Sequence, residues 1–404
     1  MPEKKKSVVP RLRFPEFRDA GEWEVKQIGD FTDCTAGGTP STLVPAYWGG
    51  EIRWMSSGEL HMKFVTEVEG RITQEGLKNS STELIPSNCV LVGLAGQGKT
   101  RGTVAINLIE ICTNQSIAAI YPNSEFVPEY LYYVLDSRYD ELRILSAGDG
   151  GRGGLNLTLI RSIPIPLPPL PEQQKVAECL FSLDEVIDLE AQKLEALKAH
   201  KKGLMQQLFP CEGETTPRLR FPEFRDAGEW EVKQLGEVCE ILDSQRMPIT
   251  STDRERGPYP YYGASGIVDY INDYIFDERL ILIGEDGAKW GPFEKTAFIV
   301  EGKYWVNNHA HVLRSVGIND VVLENFLTMI DISSYITGAA PPKLTLDNLK
   351  GIKVPTPSEP LEQQKIADCL ASLDEVINLQ IQKLDALKDH KKGLMQQLFP
   401  QEVD

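Results

Sequence analysis

The sequence predicts an α/β (α+β) protein: two small mixed α/β domains joined by two long helices that form a coiled coil, pseudo-twofold from an internal duplication. Three observations predict it. RLRFPEFRDAGEWEVKQ at Arg11–Gln27 recurs unchanged at Arg218–Gln234. The segment Glu172–Pro210 recurs at Glu362–Pro400 with 31 of 39 positions identical. Between these repeats lie two regions, about 31–160 and 238–354, that share little identity but follow one plan. Fixed-period self-similarity is read first because it dictates the whole architecture. Near-copies of one unit tend to pack about a twofold, as isologous dimers do.

The 404 residues exceed what one core of about 250–300 residues accommodates. The expected division is a first domain over 1–170, a helix over 171–210, a second domain over 211–360 and a second helix over 361–404. In the variable regions, Cys89–Gly93 and Leu280–Gly284 are apolar runs ahead of glycine-rich turns, the pattern of strands entering hairpins. Thr113-Asn114-Gln115 and Val306-Asn307-Asn308 each precede a further alternating segment. Tyr130–Leu135 and Leu323–Ile330 read as short helices, and each region closes with a glycine-rich loop (Gly148–Gly154, Gly338–Pro342) and a proline-rich entry to the long helix.

The long repeats carry apolar residues at alternating steps of four and three. Leu183, Ile187, Leu194, Leu197, Leu204 and Leu208 recur as Leu373, Ile377, Leu384, Leu387, Leu394 and Leu398. That is the seam of a coiled coil, preferred over a lone amphipathic helix because two matching stripes each need a partner. Glu190, Gln380, Lys201 and Lys391 interrupt the stripe and are suited to fixing register. Ser182-x-x-Glu185 and Ser372-x-x-Glu375 have capping-box spacing, so a helix restart is expected there; Pro210 and Pro400 mark the ends.

Acidic residues outnumber basic ones, 59 to 42, for a net charge of −17, which ordinarily counts against nucleic-acid binding. Each variable region carries −5 and the two long repeats together −3, so the excess is spread and not confined to a tail. The seven cysteines form no Cys-x-x-Cys pair, which argues against zinc and a disulfide scaffold and for a reducing cytoplasm. The polar stretch after Lys4–Lys6 is no signal peptide, and no membrane span is expected.

Gly93–Thr100 matches G-x-x-x-x-G-K-[ST] after a strand, but the pattern needs a helix next, and Arg101-Gly-Thr-Val104 reads as turn and strand. A hairpin loop offering Gln97, Lys99, Thr100 and Arg101 is preferred; a nucleotide-binding enzyme using this loop is the alternative. Asp286 with Glu301-x-Lys303 has the residue types of a metal-dependent nuclease centre, against which stands an ordinary turn and strand end. His309 and His311 alternate, so they are expected on one face, in the core or facing a groove and not on a metal. Neither Asn-Pro-Pro-Tyr nor Asp-Pro-Pro-Tyr, the amino-methyltransferase signatures, occurs. No catalytic residue and no metal ligand is expected.

The arrangement resembles the specificity subunits of type I restriction–modification systems. The resemblance covers essentially the whole chain and rests on RFPEF…W at each unit's start and EQQ…LD…KKGLMQQLF at each unit's end. It implies a non-catalytic protein whose variable regions are target-recognition domains, each reading half of an asymmetric, bipartite site in double-stranded DNA. It also implies that the coiled coil is antiparallel, sets the gap and docks two modification (methyltransferase) subunits, with restriction subunits completing the complex. S-adenosylmethionine, ATP and Mg2+ are then expected on those partners and no cofactor on this chain. A scaffold for proteins without DNA is the other alternative.

Basic, polar and aromatic loop residues are the groups that contact bases and phosphates. The expected contacts in the first region are Trp48, Arg53, Ser56, Ser57, Gln97, Lys99, Thr100, Arg101, Arg152 and Asn156. Those in the second are Arg246, Tyr261, Tyr262, Ser265, Lys289, Trp290, His309, His311 and Lys343. Off the main seam, Val186, Leu189, Met205 and Phe209, with Val376, Leu379, Met395 and Phe399, are candidates for burial by a partner, or for widening the intramolecular seam.

Overall fold

The computed structural model describes residues 7–96, 99–145, 154–338 and 341–400. The chain divides into two compact units, 1–189 with 384–404, and 190–383. Both long helices, Leu170–Leu208 and Pro360–Leu398, are shared between the units. Each runs unbroken for 39 residues, so the expected restart at Ser182 and Ser372 does not occur. Mid-helix, the Ser372 hydroxyl donates to the Asp368 carbonyl at 2.8 Å, the bond a serine makes within a continuing helix and not the one it makes as a cap.

In the first unit a five-stranded sheet is ordered Cys34–Ala36, Ile117–Ile120, Val90–Gly93, Val104–Asn107 and Phe64–Val65. The helix Pro128–Ser137 packs Tyr130, Leu131, Val134 and Leu135 into the same core as Val90, Val92 and Ile120. The second unit's sheet, Cys239–Ile241, Ala310–Ser315, Leu280–Gly284 and Ala297–Val300, has the same strand order, with Asp320–Met329 as the covering helix. Strands 90–93 and 280–284 are buried throughout because both faces are covered, which is why they read as continuous apolar runs.

The repeated motifs meet within each unit. Arg13 forks onto Glu172 with two bonds of 2.7 Å, and Arg220 onto Glu362 with two of 2.7 Å. Both glutamates are 1% exposed, so a charged partner is obligatory. The glutamine after each glutamate accepts from the backbone at the start of the short helix: Val127 N–H to Gln173 at 2.9 Å, Asn319 N–H to Gln363 at 2.8 Å. RFPEF…W and EQQ are thus halves of one joint, written far apart in the chain.

The helix ends are core. Met395, Leu398 and Phe399 are buried in the first unit's cluster, and Met205, Leu208 and Phe209 in the second's. These eliminate Met205, Phe209, Met395 and Phe399 as partner-facing residues. Val186, Leu189, Val376 and Leu379 stay exposed, at 42, 63, 45 and 58%. Of the seam, Ile187, Leu194, Leu208, Ile377, Leu384 and Leu398 are buried; Leu183, Leu197, Leu204, Leu373, Leu387 and Leu394 are half-buried.

The four polar residues of the seam are all paired. In the second unit, Gln380 donates to Glu190 at 2.7 Å and Lys201 reaches Asp374 at 2.6 Å; the pairing runs up one helix and down the other, so they are antiparallel. In the first unit Lys391 bridges both oxygens of Asp184, at 2.7 and 2.6 Å.

Candidate nucleic-acid interface

One end of each sheet is built on a shared backbone frame. In the first unit Asn114 N–H donates to Met55 O at 3.0 Å and Leu94 N–H to Ser116 O at 2.8 Å. In the second, Asn307 N–H donates to Tyr262 O at 3.0 Å and Glu285 N–H to His309 O at 2.8 Å. Asparagine closes the turn each time: Asn114 Oδ1 accepts from Ser116 N–H at 3.1 Å and Asn307 Oδ1 from His309 N–H at 2.8 Å. The strands leading out of this end finish in glycine for lack of room. A Cβ on Gly93 would lie 2.3 Å from Thr100 O, and one on Gly284 2.3 Å from Ala288 Cβ.

On this frame the first unit gathers residues 37–44, 94–96, 99–101, 114–116 and 154–156. Asn156 caps the helix Leu157–Ser162 from Oδ1, and Leu155 N–H bonds Leu94 O at 3.0 Å, which brings Asn156 beside the 94–101 hairpin. Lys99 is exposed, and Thr100 and Arg101 are half-buried in the same turn. Gln97 and Arg152 lie outside the described residues. Ser56 and Ser57 follow Met55 directly; the Ser56 hydroxyl and N–H both bond Glu59 in a capping box, so Ser56 serves the local helix first. Trp48 and Trp54 pack edge to face at 5.0 Å and donate to Ser41 O and Gly38 O, which holds loop 38–41 from behind. Arg53 is exposed and pairs with Glu67 at 3.4 Å.

The hairpin settles the Gly93–Thr100 loop. Gly93 N–H bonds Thr103 O at 2.9 Å, and Val104–Asn107 returns antiparallel to Val90–Gly93. Among the described residues no helix N-terminus follows, so the helix dipole that a phosphate-binding loop relies on is not supplied here.

The second unit draws Arg246, Ser265, Lys289, Trp290, His309 and Lys343 to the same end. Beneath them lies an ionic network. Arg246 and Lys343 each bond Glu285 at 2.5 Å, Arg246 also reaches Ala310 O at 2.8 Å, and His311 Nδ1 lies 2.5 Å from Asp243. His311 Nε2 is 2.8 Å from Leu344 O, so both ring nitrogens face oxygens. Burial pushes the Asp243 carboxyl up, but the His311 bond and charge, the Val312 N–H and Arg246 outweigh it and hold it low. Burial likewise opposes ionisation of Glu285, and the bonds from Lys343 and Arg246 hold it below the usual carboxylate range.

Asp243, Glu285 and His311 bring ligand atoms close enough to hold a metal ion. Arg246 and Lys343 already neutralise these carboxylates, so an ion would have to displace both cations. The network instead ties four chain segments into a fixed floor, and charge on Arg246 and Lys343 is largely spent there.

Several expected contacts occupy other places. Tyr261 is 1% exposed, its hydroxyl bonded by Ile249 N–H at 3.0 Å. Tyr262 is half-buried against Phe298 and Tyr304. His309 is exposed in the turn and bonds Asp286, whereas His311 is buried on the strand, so the two do not share a face. Trp290 donates to Gly284 O at 3.2 Å and Lys289 is 79% exposed. Asp286 and Glu301 flank opposite ends of the strand pair 280–284 and 297–300, which separates the elements of the nuclease reading.

Residue types alone did not single out Gln115, Asn308, Leu43, Met247, Ile267 and Val268, all exposed, with Leu43 at 90%. The signal for Gln115 and Asn308 was present in the matching Thr-Asn-Gln and Val-Asn-Asn triplets.

The molecule is thus a duplicated α/β frame that carries different loops at the same end of each unit, on paired long helices. The type I restriction modification DNA specificity domain matches residues 20–199 and 227–389, and the chain belongs to that family. It is a specificity subunit, the non-catalytic part of such a system, with catalysis on partner subunits. The type I restriction enzyme MjaIX specificity subunit of Methanocaldococcus jannaschii is 26% identical over 407 residues, covering 93% of this chain and 92% of the relative. A putative type I specificity subunit of Haemophilus influenzae is 36% identical over 151 residues, 37% of this chain and 39% of the relative. The S subunit of M. genitalium has the same fold, with a TM-score of 0.61 at 17% identity, covering 98% of this chain and 100% of that one. Among the described residues no helix is long and apolar enough to cross a membrane.

Proposed function

We propose that this chain reads an asymmetric, bipartite site in double-stranded DNA, one half-site per variable region, within a type I restriction–modification complex in the cytoplasm. The carrying observation is the frame itself: equal backbone bonds at the same sheet end, holding loops that differ between the units. An equal frame gives both readers the same approach to a groove; unequal loops give unequal half-sites. Residues 1–170 and 211–360 are the readers, and 171–210 and 361–404 the spacer that sets the gap. Val186 and Leu189, matched by Val376 and Leu379, offer two equivalent apolar patches for two modification subunits, and restriction subunits complete the complex. S-adenosylmethionine, ATP and Mg2+ belong to those partners.

The charge of −17 fits this division of labour. Most phosphate neutralisation would come from the modification subunits, so specific, salt-sensitive binding belongs to the complex and not to the isolated chain. The test is single-molecule methylome sequencing of a host with and without this gene. A two-part asymmetric motif that disappears with the gene is expected. Methylation that persists, or purified complex that methylates without sequence preference, sinks the proposal.

A further inference from the structure

We infer that Gln115 and Asn308 are adenine-reading residues, one in each half-site. The inference rests on the proposed reading of DNA and deepens it.

The two variable regions diverge almost everywhere, yet their turns make three corresponding bonds. Asn114 and Asn307 each spend their side chain on the turn. The next residue is thereby thrust outward, and in both units it is an exposed primary amide: Gln115 and Asn308. A primary amide offers a carbonyl acceptor beside an N–H donor. Adenine presents the complement in the major groove, an N6–H donor beside the N7 acceptor; no other base pairs both bonds with one amide in the same way.

Both tips are held in place. Thr39 Oγ1 bonds Gln115 Oε1 at 2.5 Å, which leaves that oxygen a second lone pair and both N–H donors unspent on it. Asn308 is fixed through its backbone: its carbonyl accepts from Arg246 at 3.4 Å, and the turn is tied to Tyr262 and Glu285 on either side. Pre-set amides lose little freedom on meeting a base edge. Of the carboxylates near the second tip, Glu285 is taken up by Arg246 and Lys343, and Asp286 is in contact with His309 through Oδ1.

The experiment uses the complex assembled with its modification subunits, and reads the motif by methylation sequencing. Gln115→Ala should make one A·T position of the first half-site degenerate, with roughly tenfold loss of discrimination there, and leave the other half-site intact. Asn308→Ala should do the mirror. In duplexes with 7-deazaadenine at that position, wild-type binding should fall by a similar factor while the alanine variant is indifferent. An unchanged motif in both variants, or degeneracy at a G·C position, overturns the inference while the wild-type motif still upholds the two-reader proposal. A wild-type complex with no motif overturns both.

Discussion

Lys391, on the second long helix, sets its ammonium between the two oxygens of Asp184 on the first, at 2.7 and 2.6 Å, with side chains only 11 and 7% exposed. Tyr133 adds a third bond to Asp184 at 2.9 Å, and Lys63 a fourth contact at 3.5 Å. A break in the apolar stripe is therefore the point where the two helices and the first sheet's covering helix are pinned together.

Removing one partner strands a buried charge. Lys391→Met should destabilise the protein by about 3 kcal/mol, the low end for a broken buried pair because Lys63 and Tyr133 remain. Pairing it with Asp184→Leu should restore most of the loss. Denaturant unfolding of the single and double variants measures this; a double variant as unstable as the single would contradict it.

The Arg13–Glu172 and Arg220–Glu362 forks should behave as copies. Lysine cannot make both parallel bonds, so Arg13→Lys and Arg220→Lys should each cost about 1–3 kcal/mol. Thermal unfolding should show similar losses for the two. A large difference between them would mean that the repeats no longer do equivalent work.

Glu324 gives a pH signature. Its carboxyl is half-buried near Asp374 and is pushed up to about 7 by loss of solvent, against the pull of Lys201. An acid with a raised folded value binds its proton more tightly when folded. Its contribution is fully present below the unfolded value near 4.5 and is lost as pH rises through about 7. Glu324→Gln should therefore stabilise at pH 8, by about 1–2 kcal/mol given the open cavity it borders, and do little at pH 4.5. Melting curves at both pH values check the sign.

Leu189 and Leu379 are 63 and 58% exposed, so Leu189→Asp with Leu379→Asp should leave the melting temperature nearly unchanged. Capture of the modification subunit should fall by tenfold or more, on the order expected when apolar anchors at an interface centre are lost. Size-exclusion chromatography of the mixed subunits decides; full assembly would move the docking surface elsewhere.

Inserting four residues after Lys193 with four more after Lys383 should lengthen the gap between half-sites and leave their bases alone. Four residues add about 6 Å of helix, close to two base pairs. A methylome with an unchanged gap would remove the spacer role.

What the residues determine by themselves is the duplication, the heptad stripe, the strands entering glycine turns, and the family. These are legible because they are local or periodic: a 3.6- or two-residue period and a repeated motif survive without knowledge of any neighbour. Tertiary structure decided the rest. RFPEF and EQQ are meaningful only once Arg13 lies on Glu172, 159 residues away. Met205 and Phe209 are open to either a partner or a wider seam until the fold packs them into the second unit's core. Tyr261 and His311 have the chemistry of base contacts, but burial turned one inward and the other into a network that cancels Arg246. Gln115 and Asn308 are marked in sequence only by their matching triplets, and their exposure at the tips follows from asparagine neighbours that are consumed by the turn. Which polar side chain faces solvent depends on which contacts close around it, and those contacts come from distant parts of the chain.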